Sequence, residues 1–273
     1  MAEDFTPGGY INEMAPPPVN TVFVDANGGA EFSSIKTACD YVATQTPTEG
    51  APWNVVIYHG VYDEDAFTIP SWVSVAGYYG SKQDSWHPVK ITFSGVETGT
   101  CITMEGSSCL ANLAISVPMG DTHTGDVTLI EADGSGSSSS PCGVQGITLE
   151  ALRSDANDIT AFATSGAGGL RLHECYANVM QFGAGAGHAI KLTGSGVGAS
   201  LYAFNCVIAR YAVVGAEMNG SGAGAKMQLC NVSIIPGGGG EDDLTQTAGT
   251  LNVLNCPYTD STGTITALHT TQA

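Results

Sequence analysis

Apolar and polar residues alternate along the second half of the chain in a pattern that repeats. Four strong copies have the form apolar-x-apolar-x-[Asn/Glu]-[Cys/Val] and begin at Leu170, Leu201, Met227 and Leu251. Two weaker copies precede them, LANLAISV from Leu110 and VQGITLEAL from Val144. Alternation with a period of two indicates strands. Sequence repeats with a period of roughly 20–50 residues are typical of stacked arrays. Each copy is therefore predicted to form one coil of a parallel β-helix.

Two positions of the repeat carry residues with a structural meaning. Asn205, Asn231 and Asn255 share one position. Asn tolerates the left-handed backbone of a tight turn, and stacked Asn side chains form amide ladders. We therefore expect a structural Asn ladder in a buried turn between coils.

The next position of the repeat holds Cys175, Cys206, Val232 and Cys256. This column is predicted to point inward, with the thiols acting as small hydrophobic groups. The chain has eight cysteines and no CxxC motif. We expect the thiols to be reduced, and disulfide formation is the alternative for a protein that matures outside a cell.

The region in front of these repeats predicts a strand, a turn and a helix. TVFVDANGG reads as strand and turn, and a helix near residues 33–44 is expected, with Ser33 or Ser34 as its N-cap. Its apolar face is predicted to hold Phe32, Ile35, Ala38 or Cys39, and Val42. A short amphipathic helix here would close the first coil, as the ends of solenoids require.

Residues 21–80 resemble the N-terminal coils of the pectin methylesterase and pectate lyase-like superfamily. The strand–Gly-Gly–helix opening carries the resemblance, together with Val55, Val56, Ile57, Gly60, Tyr62, Glu64, Ile69, Pro70, Val73 and Gly77. The resemblance implies an all-β, single-stranded, right-handed parallel β-helix over residues 21–273. By itself it implies no enzyme.

The catalytic motifs of pectin methylesterases, pectate lyases and polygalacturonases are not found in the sequence. The arginines, Arg153, Arg171 and Arg210, lie outside such motifs, and the pair Asp242-Asp243 lacks its companion residues. We therefore expect a non-enzymatic protein with no catalytic residues and no cofactor.

Metal binding is not expected either. The six histidines are scattered along the chain, without metal-ligand spacing. Asp155, Asn157 and Asp158 fit a hydrogen-bonded turn better than a calcium loop.

The net charge of the chain argues against two classes of binding partner. Lys and Arg number 8 against 26 Asp and Glu, for a formal charge of −18. This balance argues against nucleic acid, which is bound through Lys and Arg, and against anionic membranes. We find neither a signal peptide nor a membrane-spanning segment. We therefore expect the chain to be made and kept in a cytoplasm, or to be released by lysis.

Residues 1–20 form an N-terminal segment rich in Pro and Gly, DFTPGGYINEMAPPPVN from residue 4. A disordered leader and a docking arm are both consistent with this composition. TPGGYINEM is similar to the opening of contractile-tail sheath proteins, through Pro7, Gly8, Tyr10 and Glu13. That resemblance implies an arm that adds a strand to a neighbouring subunit. The expected partner-binding residues of the arm are Phe5, Pro7, Gly8, Tyr10, Ile11 and Glu13.

Aromatic residues concentrate in residues 53–86. A subunit interface or a sugar-binding shelf is predicted for Trp53, Trp72, Tyr78, Tyr79 and Trp86, because Tyr and Trp are enriched at interfaces. Ordinary packing of the first coils is the alternative.

Two functions from different classes follow. The first is a structural protein of a bacteriophage virion, such as a capsid decoration, collar or tail accessory protein. It would be a homo-oligomer bound to other virion proteins through its arm. The alternative is a carbohydrate-active or carbohydrate-binding protein, such as a tailspike-like depolymerase or lectin that recognises a surface glycan.

Overall fold

The computed structural model describes residues 20–78, 89–117, 125–133, 141–153, 157–181, 187–194, 198–211, 213–221, 224–236, 242–258, 261–262 and 266–269. Residues 1–19 of the arm, Tyr79, Trp86 and Asp155 lie outside these residues. The described strands, numbered along the chain, stack in parallel as three rows around one axis. We call these rows the first, second and third faces.

The first face follows the repeat seen in the sequence. It consists of β1 (Thr21–Val24), β2 (Trp53–Ile57), β5 (Val73–Gly77), the first half of β8 (Cys109–Val117), the first half of β10 (Cys142–Arg153), β12 (Gly169–His173), β15 (Ser200–Phe204), β18 (Lys226–Cys230), β21 (Thr250–Leu254) and β23 (Thr266–His269).

The second and third faces complete each coil. The second consists of β3 (Gly60–Asp63), β6 (Val89–Thr92), the second halves of β8 and β10, β13 (Tyr176–Gln181), β16 (Val207–Tyr211) and β19 (Ser233–Pro236). The third consists of β4 (Phe67–Ile69), β7 (Gly99–Met104), β9 (Val127–Ala132), β11 (Ile159–Thr164), β14 (Gly187–Leu192), β17 (Val214–Asn219), β20 (Leu244–Ala248) and β22 (Ser261–Thr262). The predicted parallel β-helix is confirmed.

The core lies inside the three faces and is built from columns of like residues. Because neighbouring strands are parallel and in register, an inward residue stacks on its equivalent in the next coil. One such column on the first face runs through Leu170, Leu201, Met227 and Leu251, all buried. Packing of each column removes apolar area from water along the whole stack.

The two weaker sequence copies belong to the stack with a different register from the one predicted. Val144 pairs with Leu110 and with Leu172, not with Leu170. The position of Leu170 is occupied by Cys142. The copies therefore begin two residues earlier than their apolar pattern indicated.

The cysteines behave as packing residues. All eight are free, and Cys175, Cys206 and Cys256 are buried in one inward column with Val232. Burial raises the pKa of Cys101 to about 12, so this thiol stays protonated.

One helix, α1 (Ile35–Thr44), lies against β1, β2 and β4. Ser34, rather than Ser33, is its N-cap and accepts a hydrogen bond from the Thr37 N–H. The helix buries Ile35, Ala38, Cys39 and Val42, while Phe32 is only partly buried. Within the described residues we find no helix long and apolar enough to cross a bilayer.

Candidate functional site

The predicted aromatic surface is divided between two groups of rings. Tyr58 stacks on Phe23 with ring centroids 5.8 Å apart, and Tyr78 meets Tyr58 edge-on at 5.6 Å. These rings come from three successive coils, and they are partly exposed. They form an aromatic column on the outside of the first coils.

Trp53 belongs to the second group. Its ring lies 6.3 Å from that of Tyr41 on α1, which in turn lies 5.4 Å from Phe32. Trp72 occupies a turn with φ of 64° and accepts a hydrogen bond from the Trp53 N–H through its carbonyl. The sequence window thus identified Trp53 and Tyr78 but missed their partners Phe23, Phe32 and Tyr41, which come from other segments.

The Asn column has the geometry of a ladder. The Asn231 amide donates to the Asn205 carbonyl oxygen at 3.1 Å, and the Asn255 amide donates to that of Asn231 at 2.7 Å. All three residues have φ between 51° and 53°. They are exposed rather than buried, because the turn forms an outer corner between the first and second faces.

The corner extends over more coils than the Asn pattern showed. Asn112, Gly146 and Glu174 precede Asn205 at the same place, with φ of 58°, 59° and 54°. A Cβ at Gly146 would lie 2.9 Å from the side-chain oxygen of Asn112. Backbone conformation, more than side-chain identity, defines this column.

Glu64 is a carboxylate in an almost fully buried place, 5% exposed. It accepts hydrogen bonds from the Ser34 hydroxyl and the Ile35 N–H at 2.7 Å each, and from the Lys36 N–H at 3.2 Å. A carboxylate at a helix N-terminus satisfies free N–H groups and complements the helix dipole. Glu64 therefore anchors α1 to the coil that follows it.

Further carboxylates bridge successive coils along the stack. Their hydrogen-bonded pairs are Glu105 with Ser71, Glu131 with Thr100, Asp126 with the Asp158 N–H, Asp63 with Ser94, and Asp242 with Thr262. Partners lie 20 to 34 residues apart, one coil along the chain. Hydrogen bonds from Ser94 lower the pKa of Asp63. We call these bridges inter-coil clamps.

A charged cluster lies on the third face. A Glu217 carboxylate oxygen is 3.0 Å from His188 Nδ1 and 3.5 Å from Lys191 Nζ. The side chains of His188 and Glu217 are only 9% and 13% exposed. The His188 contact, and to a smaller extent Lys191, lowers the pKa of the Glu217 carboxyl.

Sequence reasoning missed this cluster because its members are not adjacent. His188 and Lys191 lie on β14, and Glu217 lies opposite Lys191 on β17. Only the coil register brings them together. Its chemistry is that of an ion pair with an imidazole, which is compatible with a structural clamp or with a polar binding surface.

A shallow groove of about 340 Å³ lies between α1 and the third face. Its polar lining includes Asp40, Thr68, Ser71 and Glu105. Asp40 is paired with Lys36 at 2.6 Å, and Glu105 is held by Ser71. Cys39 also borders the groove, where burial raises the pKa of its thiol to about 12, so it is a poor nucleophile.

The other predicted sites can be placed as follows. In the described part of the chain no three His, Cys, Asp or Glu residues are arranged to hold a metal ion. Asp158 lies just before β11 and donates its N–H to the Asp126 carboxylate of the preceding coil, while residues 154–156 of the expected turn lie outside the described residues. Asp242 and Asp243 lie just before β20, where the Asp242 and Asp243 carbonyls accept from Gly215 and Ala216.

Comparison with known proteins finds only remote structural similarity. No family model matches the chain, and no curated protein matches it. Among solved structures, the chain is similar to the pectin methylesterase from Aspergillus niger, with 14% identity, a TM-score of 0.49, and coverage of 95% of this chain and 92% of that one.

Two further structures have lower scores. Pectin methylesterase PemA from Erwinia chrysanthemi has 10% identity over 93% of this chain and 94% of its own, with a TM-score of 0.45. Tailspike protein gp49 from Acinetobacter baumannii bacteriophage Fri1, a capsular polysaccharide depolymerase, has 11% identity over 92% of this chain and 61% of its own, with a TM-score of 0.30. Because all three TM-scores are below 0.5 and all three identities are 14% or lower, these neighbours transfer neither a fold nor a residue role to this chain.

Proposed function

We propose that the chain is a non-enzymatic structural protein of a bacteriophage virion, attached to other virion proteins through residues 1–20. In this proposal the β-helix is a rigid rod that serves as a capsid decoration, collar or tail accessory element, assembled in the host cytoplasm.

The observation that carries the proposal is the use of the carboxylates. In a catalytic site, acidic groups point at a substrate and their pKa values are tuned for proton transfer. Here Glu64 accepts hydrogen bonds from the N-terminus of α1, and Glu105 and Glu131 accept them from a neighbouring coil. Such hydrogen bonds stiffen a rod, and they occupy the carboxylates that a catalytic site would leave facing a substrate.

The N-terminal segment supplies the attachment in this proposal. The β-helix begins at β1, and Asn20 already bonds to the second coil, where its carbonyl accepts the Asn54 N–H at 2.9 Å. Deletion of residues 1–18 leaves β1 and this hydrogen bond in the chain. Apolar anchors such as Phe5, Tyr10 and Ile11 suit strand addition to a neighbour.

The test is to delete residues 1–18 and measure two quantities. The melting temperature of the isolated protein is expected to stay the same, because the core begins at Val22. Occupancy on purified virus particles, measured by quantitative mass spectrometry and immunogold imaging, is expected to fall at least tenfold.

A double change of Tyr10 and Ile11 to Ser is expected to cause part of this loss, and Asn12→Ser is its control within the arm. Full occupancy of the truncated protein would show that the arm is a disordered leader. Absence of the intact protein from particles would overturn the virion role itself.

A second candidate is carbohydrate binding, which the aromatic column favours. The rings of Phe23, Tyr58 and Tyr78 line the outside of three successive coils, and such rings can stack on sugars. Glycan-array binding that is lost in Tyr58→Ala and retained in Tyr202→Ala, an aromatic elsewhere on the same face, would support this function. No binding to any bacterial glycan would remove it.

A further inference from the structure

We propose that Cys175 and Cys206 form a disulfide bond between two successive coils when the protein folds in an oxidising medium. This modification site is independent of the virion proposal, since it depends only on the geometry of the core.

The two cysteines occupy directly opposing positions. His173 pairs with Phe204 on the first face and Tyr176 pairs with Val207 on the second, which places Cys175 opposite Cys206 at the corner. The Val207 N–H donates to the Cys175 carbonyl at 2.9 Å. Paired strands lie about 4.8 Å apart, within the Cα separation of roughly 4.4–6.8 Å that a disulfide spans.

Both thiols point inward and are 3% exposed. They are neighbours in the inward column, one coil apart. The hydrogen bonds of each sulfur go to carbonyl oxygens, from Cys175 to Val144 and His173 and from Cys206 to Phe204. A link would join two side chains that already stack on one another in the inward column, and it would remove both S–H donors together with these hydrogen bonds.

The remaining cysteines are less suited to such a link. Val232 separates Cys206 from Cys256 in the same column. Cys109 lies opposite Gly143 rather than another thiol. Cys230 lies opposite Phe204 on one neighbouring strand and opposite Leu254 on the other. Cys142 is diagonal to Cys109 and pairs with Leu170, while Cys39 lies on α1 and Cys101 on β7.

The chemistry requires a small-molecule disulfide as oxidant, such as glutathione disulfide. Either thiol can attack first in the open coil, for instance Cys206. Its thiolate attacks one glutathione sulfur and releases one glutathione.

Cys175 then loses its proton to solvent and attacks the Cys206 sulfur, which releases the second glutathione. Two protein thiols are oxidised to one disulfide, and one glutathione disulfide is reduced to two glutathiones. Because the folded thiols are nearly inaccessible, the first attack takes place while the coil is still open.

The experiment refolds the full chain from denaturant in glutathione redox buffer and, in parallel, in dithiothreitol. After alkylation under denaturing conditions, the oxidised sample is expected to carry two fewer alkylated thiols than the reduced sample. Non-reducing peptide mapping is expected to join the peptides of Cys175 and Cys206. The urea midpoint of the oxidised protein is expected to be higher.

Three variants sharpen the result. Cys175→Ala and Cys206→Ala are each expected to abolish the loss of thiols and the shift in midpoint. Cys256→Ala, a buried cysteine of the same column, is expected to retain both. If a variant does not fold, the wild-type peptide map decides alone. Eight alkylated thiols after oxidative refolding, or a link that joins another pair, would overturn the proposal.

Discussion

The first coils and the last coils of this β-helix are held together in different ways. The first coils depend on unlike residues from distant segments, with α1 anchored by Glu64 and rings packed between coils. The last coils depend on like residues at one position, as in the Asn ladder and the Leu170 column. A repeat can be extended by copying, whereas an end requires individual contacts.

The largest effect is expected from Glu64→Ala. The change leaves the Ile35 N–H buried without a partner and removes two further hydrogen bonds. Hydrogen bonds to a charged group contribute about 1.5–3 kcal/mol each, so we expect a loss of roughly 3 kcal/mol or more. Urea unfolding measures it.

Glu97→Ala is the matched control, because Glu97 is exposed in the same part of the chain. Equal losses for the two variants would show that Glu64 has no special place in the first coils. A loss confined to Glu64→Ala, with weaker helix signal in circular dichroism, would support it as the anchor of α1.

In the last coils, Asn231→Leu is expected to cost about 1–3 kcal/mol. It removes both ladder bonds of Asn231 and places a branched side chain at a φ of 53°. Asn219→Leu, at an exposed position on β17, is expected to have little effect. The unfolding free energies of the two variants give the comparison.

Asn231→Gly separates the two causes, since Gly accepts the backbone conformation but has no amide. A full loss in Asn231→Gly would assign the effect to the ladder. No loss would assign it to the backbone alone, and the ladder would then have no measurable role.

The last coils could be predicted from the sequence better than the first coils. The coils of Leu201, Met227 and Leu251 were predictable because each repeats one pattern. The register at Leu110 and Val144 was not, because Asn112 and Gly146 occupy the corner without the following Cys or Val that marked it elsewhere. The period of two allowed a shift of two residues, which leaves every side chain on the same side of the sheet.

The repeat pattern of the sequence could not predict contacts between residues of different types from distant segments. Glu64 was visible as part of a family resemblance, but its bonds to α1 depend on a fold in which residues 34 and 64 meet. The cluster of His188, Lys191 and Glu217 likewise depends on the register of β14 and β17. No single segment contains the information that brings these side chains together.

A smaller effect is expected from the pH dependence of Glu217. Its pKa is lowered in the fold, by His188 above all. A carboxyl with a depressed folded pKa stabilises the protein above its unfolded pKa of about 4.3, and that contribution is lost as pH falls through the folded value. We therefore expect wild-type stability to fall below about pH 4.5 more steeply than that of Glu217→Gln.

Unfolding free energies between pH 3 and pH 7 measure this difference, with Glu150→Gln, an exposed carboxyl on β10, as the control. The two stability curves of wild type and Glu217→Gln should differ in slope by a fraction of a kcal/mol per pH unit. Parallel curves would show that the ion pair on the third face does not contribute to stability.

The smallest effect is a gain, expected where the ladder gives way to other residues. Glu174 lies at the corner directly before Asn205, with φ of 54° and an exposed side chain. Glu174→Asn places a residue that tolerates this backbone and brings another amide next to Asn205. We expect a stabilisation of about 0.5–1 kcal/mol, measured by urea unfolding.

Glu150→Asn is the control for this gain, because it removes the same charge from an exposed strand position without a left-handed backbone. Its effect on stability therefore reports the change of charge alone. An equal gain in both variants would assign the effect to reduced self-repulsion in an acidic chain. A gain in Glu174→Asn alone, lost again when Asn205→Gly is added, would show that the ladder of the last coils can be extended toward the first by copying one residue.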